Sequence, residues 1–331
     1  MNRRFILLFL VFGSVLMLPF RAPAPLVYTP GEGWIYEPVG AAAGKWKRAR
    51  AKDQLEVAQL AFDRKDYSLA MRAARYTVKT WPLSDFAPPA QYLLGRCYEA
   101  RKNDEKAFAA YQLILEKYPK SESVKEVLSR QYLIAGRFLQ GQWFKLWGYI
   151  PIFPSMDRTA DLFEKVVKNG PYSDVAPHAQ LRIGAAREKQ EHWPEAVKAY
   201  ETAVDRYHDR PQIDADARYH AGMAYQKQAK TAEYDQSMAG QSIASLNDFV
   251  SLYPNDARAA DAKKTMADLK TEQARGNFRI AQFYEKRKRW NGALVYYNEV
   301  VLQVPDAPAA NEARKRIDAI KKLTQPSAPA K

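Results

Sequence analysis

A ruler of small residues, aromatics and helix-ending positions recurs along this chain of 331 residues and constrains its fold more than any other feature. Counting from Gly95, Tyr98 lies at +3, Ala107 at +12, Tyr111 at +16 and Pro119 at +24. From Gly184, Ala196 is at +12, Tyr200 at +16, Ala203 at +19, and His208 takes the +24 place. From Ala281, Tyr284, Ala293, Tyr297 and Pro305 fall at +3, +12, +16 and +24. Weaker copies start at Ala58 (Ala70, Pro82), at Ala135 with Phe138 (resuming at Thr159, Phe163 and Pro171), and at Gly222 with Tyr225 (closing on Tyr253-Pro254). Self-similarity at such a period marks stacked supersecondary units and has to be read before any single motif.

The spacing has a packing explanation. A small residue in a first helix lets a second helix approach closely, and the small residue at +12 is its counterpart across the contact. Aromatics at +3 and +16 fill the space on either side, and proline near +24 cannot continue a helix. A single helix pair cannot bury its own apolar face, so neighbours must stack. The expected fold is all-α: a right-handed α-solenoid of about six helix pairs of tetratricopeptide type, closed by a capping helix over 309–323.

Two places break the register. Residues 140–156 carry Trp143, Phe144, Trp147, Tyr149 and Phe153 among glycines and prolines, which forbids a regular helix. This aromatic insert either folds back to plug a groove between repeats or presents an apolar patch. The fifth copy has extra residues around 231–240, read as a longer loop or an overshooting helix. The step from Pro254 to Ala281 is twice the usual one and calls for one long helix. Residues 45–323 form the expected repeat region, 25–44 an extended lead-in to which Trp34, Ile35 and Tyr36 give something to dock with, and 324–331 a disordered tail.

The first 24 residues read differently. Asn2-Arg3-Arg4 precedes the uncharged apolar run Phe5–Leu18, and Ala22-Pro23-Ala24 has the small-x-small form of a cleavage site. The segment is a signal peptide, either removed or, since Pro25 disfavours cutting, retained as an inner-membrane anchor. No cysteine follows it directly, and the one cysteine, Cys97, lies inside a repeat, where a small buried hydrophobe is expected.

Catalytic and metal chemistry find no foothold. His178, His192, His208 and His220 form no HExxH, HxH or His/Cys pair, and there is no phosphate loop and no GxSxG elbow. No catalytic residue, metal site or cofactor is expected, and the chain is read as a non-enzyme. Its net charge of +14 is scattered along helices, which suits an acidic partner or anionic surface and not nucleic acid. Partner binding then falls to surfaces. First helices line the concave face, which places Tyr92, Arg96, Glu99, Leu181, Glu188, Tyr219, Met223, Phe278, Gln282 and Glu285 in a groove suited to an extended peptide or a partner's loop. The aromatics of the insert are the second candidate surface.

The segments Tyr253-Pro-Asn-Asp-Ala-Arg-Ala-Ala-Asp-Ala-Lys-Lys264 and Ile280-Ala-Gln-Phe-Tyr-Glu-Lys-Arg287, with Ala293, Val300 and Pro305, resemble the C-terminal half of BamD-type outer-membrane assembly proteins. Tyr67-Ser-Leu-Ala70 and Trp81-Pro-Leu-Ser-Asp-Phe-Ala87 are similar to that family's opening repeat. The resemblance implies a periplasmic scaffold near the outer membrane that binds the soluble domains of a β-barrel insertase and unfolded outer-membrane proteins. The family's usual lipid-acceptor cysteine is not matched, and the 140–156 insert has no counterpart in its minimal form. A periplasmic adaptor of the same repeat class, serving cell-wall or polysaccharide machinery, is the competing reading.

Overall fold

The computed structural model describes residues 26–29, 33–36, 46–146, 150–151, 153–231 and 236–324. The signal segment 1–24, the residues 325–331 of the expected tail, and Trp147 and Tyr149 of the insert lie outside them. Thirteen helices carry the described chain: α1 (Ala51–Asp63), α2 (Tyr67–Thr80), α3 (Ala87–Ala100), α4 (Asp104–Lys117), α5 (Val124–Leu139), α6 (Met156–Asn169), α7 (Ala176–Glu188), α8 (Trp193–Tyr207), α9 (Pro211–Thr231), α10 (Gln236–Leu252), α11 (Ala259–Lys286), α12 (Trp290–Gln303) and α13 (Pro308–Thr324). Two short antiparallel hairpins accompany them, β1 (Leu26–Thr29) with β2 (Gly33–Tyr36) and β3 (Lys145–Leu146) with β4 (Ile150–Pro151).

The chain divides into two compact units, Met1–Gln131 with Lys145–Pro151 and Tyr132–Phe144 with Ile152–Lys331. In the first, α1 to α4 pack each on the next, and α1 also reaches α3. In the second, α6 to α13 do the same, with α7 touching α9 and α11 touching α13. Contacts between alternate helices place first helices beside first helices, as stacking of pairs requires. The first unit's core is alanine-rich, with Ala58, Ala70, Ala73, Ala74 and Ala90 all fully buried around Leu93 and Cys97. Small side chains there bring backbones close, so much of the contact area is backbone and Cβ.

The ruler acts through direct ring-on-glycine contact. A Cβ added at Gly95 would lie 2.2 Å from the Tyr111 ring, and one at Gly184 would lie 2.5 Å from the Tyr200 ring. The +16 tyrosine therefore lies on the small residue itself rather than beside it, and the +12 alanines at 107, 196 and 293 are fully buried. At Gly222 the same place is taken by Leu246 at 2.6 Å.

The turn within four of the pairs repeats as well. Lys65, Lys102, Glu191 and Lys288 all adopt the left-handed conformation, with φ of 63°, 54°, 59° and 56°, and each stands at +7 from the ruler's small residue. This is where a glycine usually ends a helix. Asp66 and Asn103 then cap the following helices through Leu69 N–H and Lys106 N–H.

Several expectations resolve here. The long step after Pro254 is filled by α11, 28 residues in one helix. Helix α9, at 21 residues, accounts for the extra length before 231 as an overshoot. The capping helix runs from Pro308 to Thr324. The lead-in is not merely extended: Leu26–Thr29 pairs with Gly33–Tyr36. Trp34, expected to dock, is exposed.

Candidate functional site

The candidate groove is best built from the glutamates that recur at +4 from Gly95, Gly184 and Ala281. In the first unit, Glu99 Oε2 accepts the Tyr111 hydroxyl at 2.6 Å and Arg130 Nη1 at 3.0 Å. Tyr111 comes from the second helix of the pair and Arg130 from the first helix of the next. One carboxylate thus ties α3, α4 and α5 together. Burial, then the hydrogen bond to Glu99, drives the Tyr111 pKa far above that of an ordinary phenol, so the phenol stays a donor.

The second unit builds the joint twice more. Tyr297 donates to Glu285 Oε2 at 2.6 Å, and Arg316 of α13 lies 3.5 Å from the same carboxylate. The Tyr200 phenol is held well above its ordinary pKa by burial first and then by the Glu188 carboxylate, and the third member is His220 of α9, its Nδ1 3.8 Å from Glu188. The His220 ring stacks on Tyr200 at 5.3 Å between centroids. From the small residues, the glutamate is at +4, the tyrosine at +16 and a basic residue at +35 or +36. A buried amide four residues before the small residue adds another link: Gln91 donates to Ala110 O and Gln180 to Ala199 O, each at 2.9 Å.

These joints change how the expected groove residues stand. Tyr92, Arg96 and Glu99 do come together. Tyr92 hydroxyl bonds Glu126, accepts Arg130 Nε at 2.8 Å, and has Arg96 on its other side at 3.5 Å. The Arg96 guanidinium also lies over the Phe62 ring, 5.6 Å from its centroid. Leu181 is half-buried against Ala196, Tyr200 and Ala221, filling core. Tyr219 donates to Asp261 at 2.8 Å and lies under Arg258, while Met223 packs on the Leu246–Phe249 cluster. Phe278 meets Tyr297 edge-on at 5.3 Å, and Gln282 is exposed. Glu99, Glu188 and Glu285 are therefore joint carboxylates first, half-buried and bonded within the stack.

The insert splits in the same manner. Phe144, expected as a contact residue, is 2% exposed. It stacks on Phe138 at 4.1 Å, lies under Arg158 at 4.2 Å, and its N–H bonds Phe153 O. It is core, because a phenyl ring held between a second ring and a guanidinium gains more from burial than from a wet surface. Trp143 and Phe153 remain about half-exposed, at 51% and 56%.

Sequence reasoning missed Arg130, Arg316 and His220 as joint members and Arg258 as a hub, the last pairing Asp216 at 2.7 Å and Asp256 at 2.8 Å. That pairing holds the Asp256 carboxyl down to about 2. The near-constant offset of the basic residue, +35 or +36, was the available signal. A cleft of about 720 Å³ opens beside the middle of α11, lined by Gln226, Lys230, Gln236, Asp268, Glu272 and Arg275. Among the described residues no group of three His, Cys, Asp or Glu stands in metal-binding geometry. Cys97 is buried and its thiol is pushed up to about 11 by that burial, so it is protonated and unreactive. No helix among the described residues is long and apolar enough to cross a membrane.

The repeat-pattern comparison agrees with this architecture. A tetratricopeptide-repeat pattern matches residues 89–121, the α3–α4 pair. Solved repeat proteins from Cytophaga hutchinsonii (12% identity, 94% of each chain covered, TM-score 0.36) and Parabacteroides merdae (10%, 82% of this chain and 98% of that one, TM-score 0.34) are similar to it. The outer membrane protein assembly factor BamD of Caulobacter vibrioides is 25% identical over 145 residues, 44% of this chain. The matched region spans about half (47%) of that relative's length. The pattern of the YfiO family, described as outer membrane lipoprotein, matches residues 155–331, from the start of α6 onward and more than half of the sequence; this chain belongs to that family.

Proposed function

We propose that this protein is a non-enzymatic periplasmic scaffold of outer-membrane β-barrel assembly. The YfiO match over residues 155–331 carries this reading. In it, the latched helix pairs give a rigid frame, and partners bind on what the joints leave free. Those free surfaces are the Gln282–Phe283 stretch of α11, where Phe283 is half-exposed under the Arg287 guanidinium at 4.1 Å, and the Trp143 and Phe153 rims of the insert. The partners are the soluble domains of a barrel insertase and unfolded barrel proteins.

Cross-linking in intact envelopes followed by affinity purification tests this. The expected result is recovery of an insertase subunit, reduced in a Gln282→Ala/Phe283→Ala variant whose thermal unfolding matches the parent. Repeated recovery without any insertase subunit would sink the reading. The net charge of +14 favours one second reading, an adaptor for wall or polysaccharide machinery. Cross-links to wall synthases or glycan in the same experiment would establish it instead.

A further inference from the structure

Arg96, in the first unit, breaks a rule that four other partly buried arginines keep. Arg130, Arg187, Arg218 and Arg258 have side chains at most 30% exposed, and each has a carboxylate oxygen within 3.0 Å. Arg96 is likewise half-buried. Among the described residues, however, its one hydrogen bond runs from Nη1 to the Tyr92 hydroxyl at 3.5 Å, and no carboxylate pairs with it. Its guanidinium lies instead over two rings, 5.6 Å from the Phe62 centroid and 5.9 Å from that of Tyr92. Stacking of this kind fixes the plane of the fork and leaves its N–H edges unspent. Taking a charge out of water without a counter-charge is unfavourable, so partly buried charges are ordinarily paired.

The sequence shows why the first helix pair supplies no counter-charge. Gly95, Gly184 and Ala281 are followed at +4 by a glutamate, whereas Ala58 is followed by Phe62, which offers Arg96 a ring and no acid. At +1, where Arg96 stands, the other copies carry Gln59, Gly136, Ala185, Met223 and Gln282, none of them charged. Met223 packs on the second unit's Leu246–Phe249 cluster from that place. Helix packing therefore does not call for a cation at +1.

Tyr92 also lines a cleft of about 820 Å³, together with Pro88, Tyr118 and Pro119. A chain lying in this cleft passes Tyr92 and comes within a side chain's reach of Arg96. We infer that the cleft takes an extended segment of a partner polypeptide, one of whose Asp or Glu side chains pairs with Arg96. A planar carboxylate matches the guanidinium fork with two parallel hydrogen bonds, and rings and prolines suit an extended backbone. On the cleft walls Asp85, Glu122 and Glu126 outnumber Lys117 and Lys120, which opposes a doubly charged phosphate or an anionic lipid surface. The inference is independent of the barrel-assembly reading, which rests on residues 155–331, and either can fail while the other stands.

The test applies full-length protein to arrays of N-acetylated, C-amidated twelve-residue peptides. Each sequence is made in three forms, with Glu, Gln or phosphoserine at position six. For the sequences that bind, the Glu form is expected to bind about tenfold more tightly than the Gln form, the worth of a hydrogen-bonded charge pair. Arg96→Gln should bring the Glu form down to the level of the Gln form and leave the Gln form unchanged, whereas general damage to the fold would lower both. Arg96→Lys, which keeps the charge and loses the fork, should retain part of the preference, with thermal unfolding matching the parent. A Glu preference that persisted in Arg96→Gln would overturn the inference, as would equal binding of the Glu and Gln forms or no binding by any sequence. Tighter binding of the phosphoserine form, or retention on phosphatidylglycerol vesicles that Arg96→Gln abolished, would assign the anion to phosphate and overturn it as well.

Discussion

The joints around Glu99 and Glu188 are built to one plan with different third members. In the first, Arg130 donates through Nη1 at 3.0 Å and also serves Glu126 and Tyr92. In the second, His220 stands 3.8 Å from the carboxylate and gives its face to Tyr200. Glutamate and tyrosine keep their places while the third residue varies. The small residue and the ring upon it therefore fix the geometry, and the charge across the next helix is a separable addition. Surface ion pairs are worth little, whereas a buried phenol bonded to a carboxylate is costly to break, which fits that order of importance.

The largest test of this comparison is at the glycines. Alanine in a helix is normally better than glycine by about 1 kcal/mol. At Gly95 and Gly184 the sign should reverse, because the new Cβ would overlap the tyrosine ring, with a loss of about 1–3 kcal/mol or more. Gly136, where a Cβ meets nothing within 4 Å, is the control, and alanine there should stabilise by about 0.5–1 kcal/mol. Denaturant midpoints at constant slope would show it; a stabilising Gly95→Ala would break the ring-on-glycine account.

Next in size is removal of the phenol hydroxyl. Tyr111→Phe and Tyr200→Phe should each cost about 1–3 kcal/mol. The first should cost more, because Glu99 is 14% exposed against 26% for Glu188 and water replaces the lost donor less readily. The reverse order would mean that Arg130 alone satisfies Glu99.

Alkaline pH acts on the same groups. Tyr111 and Tyr200 have folded pKa values raised above the ordinary 10.0, by burial first. Their contribution is therefore fully present below pH 10 and is lost as pH rises beyond it, by about 1.4 kcal/mol per pH unit for each phenol. Stability measured from pH 8 to pH 11 should fall above 10, and less steeply in Tyr111→Phe; an unchanged slope would show that Tyr111 ionises freely. Smallest is His220→Arg, which would give the middle joint the cation of its neighbours. A gain of about 0.3–1 kcal/mol at pH 8 is expected, and a loss would show that stacking on Tyr200 outweighs the charge.

The repeat period, the helix-ending prolines, the long helix after Pro254 and the capping helix were legible from spacing, because each depends on residues within one or two helices. The glutamates at +4 were visible as a recurrence but were assigned to a binding face. Their partners sit 12 residues away on one helix and about 31 on another, and only packing shows that a tyrosine reaches across. Phe144 was misplaced for the same reason, since nothing local says that Phe138 and Arg158 close around it.

By itself, then, the sequence determined that this chain forms stacked helix pairs with an irregular aromatic interruption, because small-residue spacing and proline breaks act locally. Only the tertiary structure decided which polar residues are joints and which remain for partners. Burial and hydrogen-bond satisfaction are properties of three helices meeting, and no single helix carries them.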